Sequence, residues 1–398
     1  MLEFGSAQWG VDRILGPPVT RRGGRQGKSV AEVAHYLQVQ QTSKVDLTCL
    51  GDYIARFFHH DLTHSTRENT KFYVKNGNKL AISLKAWTQQ IFIRAGQDAY
   101  FGPKLDELSP DLPLDLIRFD ELSWQVFYHY PLALRKEGTS LANKIRTALK
   151  HYFELPKSQR LAKAWFVEAL EDECRGVGLD TEEVASQMLF LYWGINTNIS
   201  KMGYWMIAHA LFRPHLVDLI RNETALAFEN SDIPDGEYIS NVQKCPKLNA
   251  FWLECLRLAS SSTALRYVTE DTIIGDKILR EGHTILMSAR QLHLNTSSNA
   301  FGDDAAIFED ERFLKNTHLE RNLNFRPFGG GKTLCPGRHL AKYMALTFVA
   351  QVFRKFDVTL AKDQPFPAYE EDKPTIGILS GKEDLLISLR ARDGRQGM

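Results

Sequence analysis

The sequence predicts a mainly α-helical protein with a small β region, and three patterns support this prediction. Most of residues 30–230 carry apolar side chains at helical three- and four-residue spacing. A helix-like run extends from Thr181 to Pro214 without a break. Short β-branched runs, interrupted by Gly and Asp, are concentrated after residue 262. Because these strands are grouped late and do not alternate with helices, the pattern argues against a Rossmann-type domain.

The predicted helices include residues 80–102 and 161–176, which both show helical periodicity. The longest helix is predicted to begin at Thr181, because Asp180 and Glu183 form a D-x-x-E pattern of the capping-box type. Roughly thirty residues follow before the next proline, which corresponds to roughly 50 Å at about 1.5 Å per residue. Apolar residues cover most faces of this helix, so we expect it to run through the interior.

Polar residues interrupt the middle of the longest helix. Gly194 costs about 1 kcal/mol relative to alanine in a helix interior. Four polar residues then follow where the pattern predicts burial: Asn196, Thr197, Asn198 and Ser200. Two interpretations stay open. One is a helix kink whose polar groups are satisfied locally, and the other is a groove in which a ligand lies against the helix.

Five runs in the later part of the chain predict strands. They are "TALRYVTED" (263–271), "TIIGDKI" (272–278), "GHTILMSARQLHL" (282–294), "FDVTLA" (356–361) and "DLLISLRAR" (384–392). We therefore expect one domain over residues 1–398. Its helix-rich part covers residues 30–260, and the sheet and a glycine-rich cysteine loop lie in residues 261–398.

Composition and charge bound the possible functions. Hydrophobic residues make up 43% and charged residues 24% of the 398-residue chain, which is an ordinary globular composition. The net charge of +1 indicates neither nucleic acid nor an anionic membrane surface as a partner. The five cysteines are widely spaced, without a C-x-x-C pair or a zinc-type cluster, and predict reduced thiols. We find no signal-peptide pattern and no apolar run of about 20 residues.

The stretch "NFRPFGGGKTLCPGRHLAKY" (324–343) presents Cys335 behind three glycines and just before a predicted helix. Three functions are open for this thiol: a small buried hydrophobic group, a nucleophile with His339 as a nearby base, or a metal ligand. Since no Cys or His partner lies at ligand spacing, a metal centre must bring its own ligands, as haem does. A glycine-rich loop can lie flat against a porphyrin and direct its amides and the helix start at the thiolate.

The motif "FGGGKTLCPG" matches F-x-x-G-x-x-x-C-x-G, the haem-binding loop of the cytochrome P450 family. Three further segments resemble this family in the same order. "ECLR" supplies the E-x-x-R pair, Glu254 and Arg257, and "FEDERFL" resembles the P-E-R-F segment with Asp310 in place of proline. "WGIN" lies where the family has its central oxygen-binding helix. The resemblance over residues 180–390 implies the mainly helical P450 fold.

The resemblance also implies haem b as the cofactor, with its iron bound by the thiolate of Cys335. Arg266 would reach a haem propionate, and His293 lies in a segment that often contacts a propionate, with a plain core histidine as the alternative. Other implied residues surround the loop or form a buried ion-pair network behind it: Phe328, Gly331, Gly337, Arg338, Glu254, Arg257 and Arg312.

One departure from the family pattern concerns the charge beside the cysteine. The family often has Arg or His two residues before the cysteine, where this sequence has Thr333. Arg326, Lys332 and Arg338 are the alternatives for this charge. Together with Lys342, these three basic residues are also candidates for a reductase-docking face, with an ordinary solvated surface as the alternative.

A second departure concerns the acid–alcohol pair that manages protons in the central helix. One register places Asn196 and Thr197 at these positions, and the other places Asn198 and Ile199 there, without a hydroxyl group. Asn196, Thr197 and Asn198 are therefore the candidates for the oxygen side of the haem. The pattern "WGINTN…YW" is most similar to the branch of sterol hydroxylases, prostacyclin synthase and many fungal relatives.

The implied reaction is monooxygenation of a lipophilic small molecule by O2, in fungal secondary metabolism of the terpenoid, steroid-like or polyketide kind. Electrons would come from a separate NADPH-dependent reductase, and no nucleic acid is expected as a partner. One alternative is a haem-thiolate isomerase or dehydratase that needs no reductase. The other is a truncated, inactive relative.

The resemblance further implies that a membrane anchor, a first helix and two strands precede the part of the fold seen here. "FGSAQWGVDRILG" (4–16) resembles the short helix after those strands. The later strands near 265–290 would then leave an exposed edge. We expect a location on the cytoplasmic side, at the endoplasmic reticulum membrane if the full-length form carries an anchor, and otherwise a soluble protein.

Overall fold

The structure of the chain is a computed structural model. It describes residues 30–68, 73–76, 79–128, 130–296, 300–331, 334–375 and 377–392. The helix predicted at 4–16 and the candidate positions Lys332 and Thr333 lie outside the described residues.

Helices form most of the fold, as predicted. In chain order the α-helices are α1 Val30–Gln41, α2 Lys44–Glu68, α3 Leu84–Phe101, α4 Pro103–Leu108, α5 Leu112–Phe127, α6 Lys136–Glu154, α7 Phe166–Gly176, α8 Thr181–Leu211, α9 Pro214–Thr224, α10 Gly236–Ser240, α11 Pro246–Ala259, α12 Ala289–Leu294, α13 Arg312–Lys315 and α14 Arg338–Lys355. Among the described helices, none is both long and apolar enough to cross a membrane.

The strands of the described residues form three small antiparallel sheets. They are β1 Tyr73–Asn76, β2 Lys79–Ser83, β3 Thr263–Tyr267, β4 Thr272–Ile274, β5 Lys277–Leu279, β6 Thr284–Ser288, β7 Phe356–Leu360 and β8 Leu386–Ala391. The four-stranded sheet has the order β1-β2-β8-β7, while β3 pairs with β6 and β4 with β5. Each of the five predicted strand regions contains a strand, and the mainly α-helical fold with a small β region is confirmed.

The helix predicted at 80–102 is wrong at its start. The first residues of this segment belong to β2, in which Ser83 pairs with Leu386 of β8. The Ser83 hydroxyl then accepts a hydrogen bond from the Ala86 N–H (3.0 Å) and caps α3. The strand predicted at 282–294 is wrong at its end, because α12 follows β6 directly. Pairing with the distant strand β8 makes residues 80–83 a strand, and the local periodicity of the sequence contains no information on this pairing.

Helix α8 has the start that the capping pattern predicts. The Asp180 carboxylate accepts a hydrogen bond from the Glu183 N–H (2.9 Å), and the Glu183 carboxylate accepts one from the Asp180 N–H (3.1 Å). The helix ends at Leu211, roughly 46 Å from its start at about 1.5 Å per residue. Most of its side chains are buried, so it runs through the interior as predicted.

Asp120 of α5 fixes α8 at two points. Its carboxylate accepts a hydrogen bond from Trp193 Nε1 (2.8 Å) and forms an ion pair with Lys201 Nζ (2.7 Å). Both charged side chains of this pair are buried, which makes the pair costly to break. Because the two contacts lie on either side of Gly194, they hold the helix where its backbone is intrinsically weakest.

Four helices meet at an aromatic cluster in the core. The rings of Phe58 (α2), Phe92 (α3) and Phe348 (α14) contact one another with centroid distances of 4.7–5.2 Å. Gly203 of α8 faces the Phe92 ring and allows the close approach of α3 and α8. This cluster fixes α14, which follows the cysteine loop, relative to the central helix.

Within the described residues, β3 and β6 pair only with each other, as do β4 and β5. Each of these two-stranded sheets therefore leaves strand edges open. Large apolar side chains are exposed on these strands, including Leu265, Ile273 and Leu286.

We expect Gly203→Ala to destabilise the fold by about 1–3 kcal/mol. A Cβ atom at this position would lie 2.6 Å from Phe92 Cε2, and the Phe58 and Phe348 rings restrict movement of the Phe92 ring. Gly194→Ala in the same helix is the matched control, because no atom lies within 4 Å of its added Cβ. Urea unfolding of both variants measures the difference. Equal stability of the two variants would contradict the packing described above.

Candidate functional site

Hydrogen bonds join the described residues on the two sides of the cysteine loop. Gly329 and Gly331 have φ angles of 75° and 62°, a left-handed conformation that favours glycine. The Cys335 N–H donates a hydrogen bond to the Phe328 carbonyl (3.0 Å) and closes the loop. The Thr42 hydroxyl, at the junction of α1 and α2, lies 3.0 Å from the Pro336 carbonyl oxygen. The loop therefore presents its sulfur from a fixed backbone.

The sulfur of Cys335 lies at the start of α14 and is partly exposed. Burial raises the pKa of the Cys335 thiol above its ordinary value, while the N–H groups of Gly337 and Arg338 and the Arg338 charge oppose this rise. Because the net pKa shift is upward, the thiol is protonated at neutral pH, which disfavours a free nucleophile. Amide donors aimed at the sulfur favour its anionic form when a cation is bound to it.

Behind the loop, α11 carries a fully buried ion pair. Glu254 accepts hydrogen bonds from Nη2 and Nε of Arg257 at 2.7 Å and 2.8 Å, in a bidentate arrangement. Arg312 Nε (3.2 Å) and the Glu309 N–H (3.0 Å) also donate to Glu254. The structure thus brings together Glu254, Arg257 and Arg312, the three residues that the sequence pattern singled out.

The two arginines also hold an irregular segment against α11. Arg257 donates to the carbonyls of Ala305 (2.5 Å) and Ile307 (3.3 Å). Arg312 donates to the carbonyl of Phe301 (2.6 Å) and to the Asp304 carboxylate (2.9 Å). Because each of these carbonyls lies outside helices and strands, the network replaces the hydrogen bonds of regular structure.

Two serines connect the end of α11 with the beginning of the cysteine loop. Ser260 Oγ donates to the Pro327 carbonyl and Ser262 Oγ to the Arg326 carbonyl, both at 3.2 Å. Sequence analysis did not single out these serines. The run "SSST" (260–263) directly after a helix is the signal that could have found them.

One face of α8 is open in the otherwise buried middle of the helix. Gly194 is exposed with no atom within 4 Å of its added Cβ, and Ile195 and Asn198 are half-buried. Asn198 Oδ1 accepts a hydrogen bond from the Ile378 N–H (3.0 Å). We call Gly194, Ile195 and Asn198 the open stripe. It is the part of the helix against which a ligand can lie.

Asn196 and Thr197, in contrast, do not reach the open stripe. Asn196 is fully buried, donates to the Tyr192 carbonyl (2.8 Å) and directs Oδ1 at Gly96 of α3. The Thr197 hydroxyl donates to the Trp193 carbonyl (3.1 Å) within its own helix. The geometry therefore favours the register with Asn198 and Ile199 over the one with Asn196 and Thr197.

Residues 259–262 contact both the start of the cysteine loop and residues 377–379, which lie beside Asn198. The Leu379 N–H donates to the Ala259 carbonyl (2.8 Å), and the Ser261 N–H donates to the Gly377 carbonyl (2.6 Å). Ser260 and the residues beside it also hold the loop start, as described above. The open stripe and the cysteine loop are thus connected through hydrogen bonds of residues 259–262.

Two further predicted residues, Arg266 and His293, have different surroundings. Arg266 is exposed on β3 and donates to the neighbouring Leu265 carbonyl (2.8 Å). His293 is fully buried, with both ring nitrogens engaged by the backbone, and contacts no open surface.

Three of the predicted reductase-docking residues, Arg326, Arg338 and Lys342, are half-buried. Arg338 donates to the Cys335 carbonyl (3.1 Å), and Arg326 Nε donates to the Leu323 carbonyl (2.8 Å). Lys342 is half-buried, and burial lowers its pKa although Glu320 opposes this shift.

A family model described as cytochrome P450 matches residues 120–387, which include α8, the buried network and the cysteine loop. The chain belongs to the cytochrome P450 family. The cofactor of this family is haem, whose iron is bound through a cysteine. The narrower resemblance to the sterol-hydroxylase and prostacyclin-synthase branch stays a prediction.

Among the relatives of this P450 chain is the cytochrome P450 monooxygenase nodJ of Hypoxylon pulicicidum. It is 24% identical over 341 residues, which are 80% of this chain and 65% of the relative. Cytochrome P450 monooxygenase calL of Penicillium decumbens is 24% identical over 75% of this chain and 60% of its own length. Indoleacetaldoxime dehydratase of Arabidopsis thaliana is 27% identical over 49% of this chain and 40% of its own length. The chain therefore spans less than two thirds of the length of these relatives.

We expect Glu254→Ala to destabilise the chain by about 3–5 kcal/mol, because it removes the carboxylate that pairs with the buried Arg257 guanidinium and leaves Arg312 with Asp304 alone. Asp271→Ala is the matched control, since it breaks an exposed pair with Arg280 that is worth at most about 1 kcal/mol. Urea unfolding compares the two variants. If Glu254→Ala unfolds at the same urea concentration as the control, the network contributes no stability.

Proposed function

We propose that this chain is a haem-thiolate monooxygenase that inserts one oxygen atom of O2 into a lipophilic small molecule. The observation that carries the proposal is the placement of the half-buried Cys335. Its sulfur faces the N–H groups of Gly337 and Arg338 at the start of α14, on a loop whose first residues are hydrogen-bonded to Ser260 and Ser262 at the end of α11. A fixed sulfur with amide donors suits a permanent anionic ligand.

The residues around Cys335 fit a flat cofactor. Gly331 is exposed, and a Cβ there would meet no atom within 4 Å, which leaves room beside the loop for a porphyrin face. In this proposal Cys335 would hold the iron of haem b through its sulfur, and Phe328, Gly331 and Gly337 would shape the loop around it. Arg338 and Arg266 are the proposed cations for the propionates. When bound, haem supplies the activation of dioxygen.

Asn198 of the open stripe is the proposed polar residue that would lie beside the reacting oxygen. Its Oδ1 is engaged by the Ile378 N–H, so the amide keeps its Nδ2 donors for a water molecule or a substrate oxygen. Asn196 and Thr197 act indirectly in this proposal, through the packing of α8 on α3. The apolar Ile195 and the small Gly194 leave space for a lipophilic substrate.

Terpenoid, steroid-like or polyketide intermediates of fungal secondary metabolism are the proposed substrates. The fungal relatives named as monooxygenases support the reaction class. Electrons come, in this proposal, from a separate NADPH-dependent reductase. We further propose that the chain forms one domain over residues 1–398. Its proposed location is the cytoplasmic side, at the endoplasmic reticulum membrane if the full-length form carries an anchor.

One observation favours a second candidate function, a haem-thiolate isomerase or dehydratase that needs no reductase. The open stripe contains an amide but no hydroxyl group. The Thr197 hydroxyl donates to its own helix, and Ile199 has an aliphatic side chain. A relative of this chain is named a dehydratase. Dependence of turnover on a reductase separates the two functions.

The absorption spectrum of the reduced protein with carbon monoxide tests the proposed function. We expect a strongly red-shifted Soret band that is absent in Cys335→Ala, because only a thiolate ligand produces that shift. Cys49→Ala is the matched control, since Cys49 is an exposed thiol on α2 and should keep the band. A wild-type protein without any haem band would exclude both catalytic functions.

Asn198→Ala is expected to lower reductase-dependent product formation per NADPH by roughly tenfold, because it removes one positioned hydrogen bond worth about 1 kcal/mol. Thr197→Val is the control, because its hydroxyl donates to the Trp193 carbonyl of its own helix and its loss should change coupling little. Product and NADPH consumption are measured together. The opposite ranking of the two variants would favour the register with Asn196 and Thr197.

A further inference from the structure

We propose that His293 is a positioning residue for the cysteine loop, which links the buried Glu254–Arg257 pair to the backbone of Arg326, where the loop begins. This inference rests on the proposed function, in which Cys335 is the haem ligand, and adds a residue that controls the geometry of that ligand.

The hydrogen bonds of His293 fix its tautomer. Nε2 lies 2.9 Å from the Arg326 amide nitrogen, and Nδ1 lies 3.0 Å from the Arg257 carbonyl oxygen. Because an amide N–H only donates and a carbonyl only accepts, Nε2 is unprotonated and Nδ1 carries the hydrogen. The neutral imidazole therefore bridges a donor in the loop and an acceptor on α11.

The link to the buried pair is reciprocal. Arg257 Nη1 donates to the His293 carbonyl (3.0 Å), while the His293 ring donates to the Arg257 carbonyl. The ring packs beside Phe325 and Phe301, with centroid distances of 5.5 Å and 6.2 Å. A shift of Arg257 thus moves both the backbone and the ring of His293.

The environment keeps His293 neutral. Burial lowers the pKa of His293 to about 4, and the nearby charges of Arg257 and Arg290 act in the same direction, while the hydrogen bond to the Arg257 backbone opposes them. At neutral pH the ring therefore holds the one protonation state that accepts a hydrogen bond from Arg326.

The contact matters because of where it lies in the loop. The carbonyls of Arg326, Pro327 and Phe328 accept hydrogen bonds from Ser262, Ser260 and the Cys335 N–H, respectively. The Arg326 N–H is the donor that precedes this series, and His293 is its acceptor. Without that acceptor, the peptide unit between Phe325 and Arg326 loses its hydrogen bond to His293. A rotation of this unit shifts the carbonyls of Arg326 to Phe328, which set the turn at Cys335.

Two amide variants separate the two bonds of the ring. His293→Gln extends to the position of Nε2 and keeps an acceptor for the Arg326 N–H. His293→Asn places its amide only near Nδ1, keeps the donor to Arg257 and loses the bond to Arg326. Both variants are polar and uncharged. His293→Gln keeps the bond to Arg326 and loses the one to Arg257, and His293→Asn does the reverse.

The first measurement is hydrogen exchange at the Arg326 amide in the full chain without haem. We expect this amide to be protected in the wild type, to exchange roughly tenfold faster in His293→Asn, and to stay within about threefold of the wild-type rate in His293→Gln. Exchange in the α8 segment 181–211 controls for general loosening and should not change. An unprotected Arg326 amide in the wild type, or equal rates in both variants, would overturn the inference even if one variant folds poorly.

The second measurement is the carbon monoxide spectrum of the reduced, haem-loaded proteins. His293→Asn should convert a large share of the red-shifted thiolate band into a blue-shifted band of neutral-thiol ligation, and His293→Gln should restore it. If the wild type lacks the red-shifted band while the exchange pattern holds, the proposed function fails and the His293 link stands. If the wild type has the band and neither variant changes it, the positioning role fails and the proposed function stands.

Discussion

The bidentate ion pair of Glu254 and Arg257 is the constraint on which the site depends. Two buried charges are tolerated only when all their hydrogen-bonding groups are satisfied, and Glu254 and Arg257 recruit partners from distant parts of the chain for this purpose. Arg312 joins the same carboxylate, and both arginines bind carbonyls of the irregular segment 301–307. The segment cannot move without uncovering a charge, so a region without regular secondary structure is held in place against α11.

The cysteine itself is governed by opposing effects on its pKa. Burial favours the neutral thiol, whereas two amide N–H groups and Arg338 favour the thiolate. Since burial is the larger effect in the chain alone, the anion becomes the favoured form only beside a bound cation. The same fold thus disfavours a free nucleophile and suits a metal ligand, which agrees with the cofactor of the P450 family.

The central helix contributes a different constraint. Consecutive residues in an α-helix point about 100° apart, so three neighbouring polar residues cannot share one narrow face. Asn196 is turned to α3, Thr197 to its own helix and Asn198 to the C-terminal segment at Ile378. Only Asn198 therefore belongs to the open stripe. Asp120 stabilises this orientation through its hydrogen bond with Trp193 and its ion pair with Lys201, which lie on either side of Gly194.

The sequence by itself determined the features that arise within a few residues of chain. The capping box at Asp180 and Glu183, the helical periodicity of α8, the approximate strand positions and the spacing of the loop motif around Cys335 are all local patterns. Tertiary structure alone decided the contacts between distant residues. It paired Ser83 with Leu386, chose Asn198 for the open stripe and connected His293 to Arg326. Local propensity and periodicity do not specify which surfaces meet, because that choice depends on packing and on pairing buried polar groups across the whole fold.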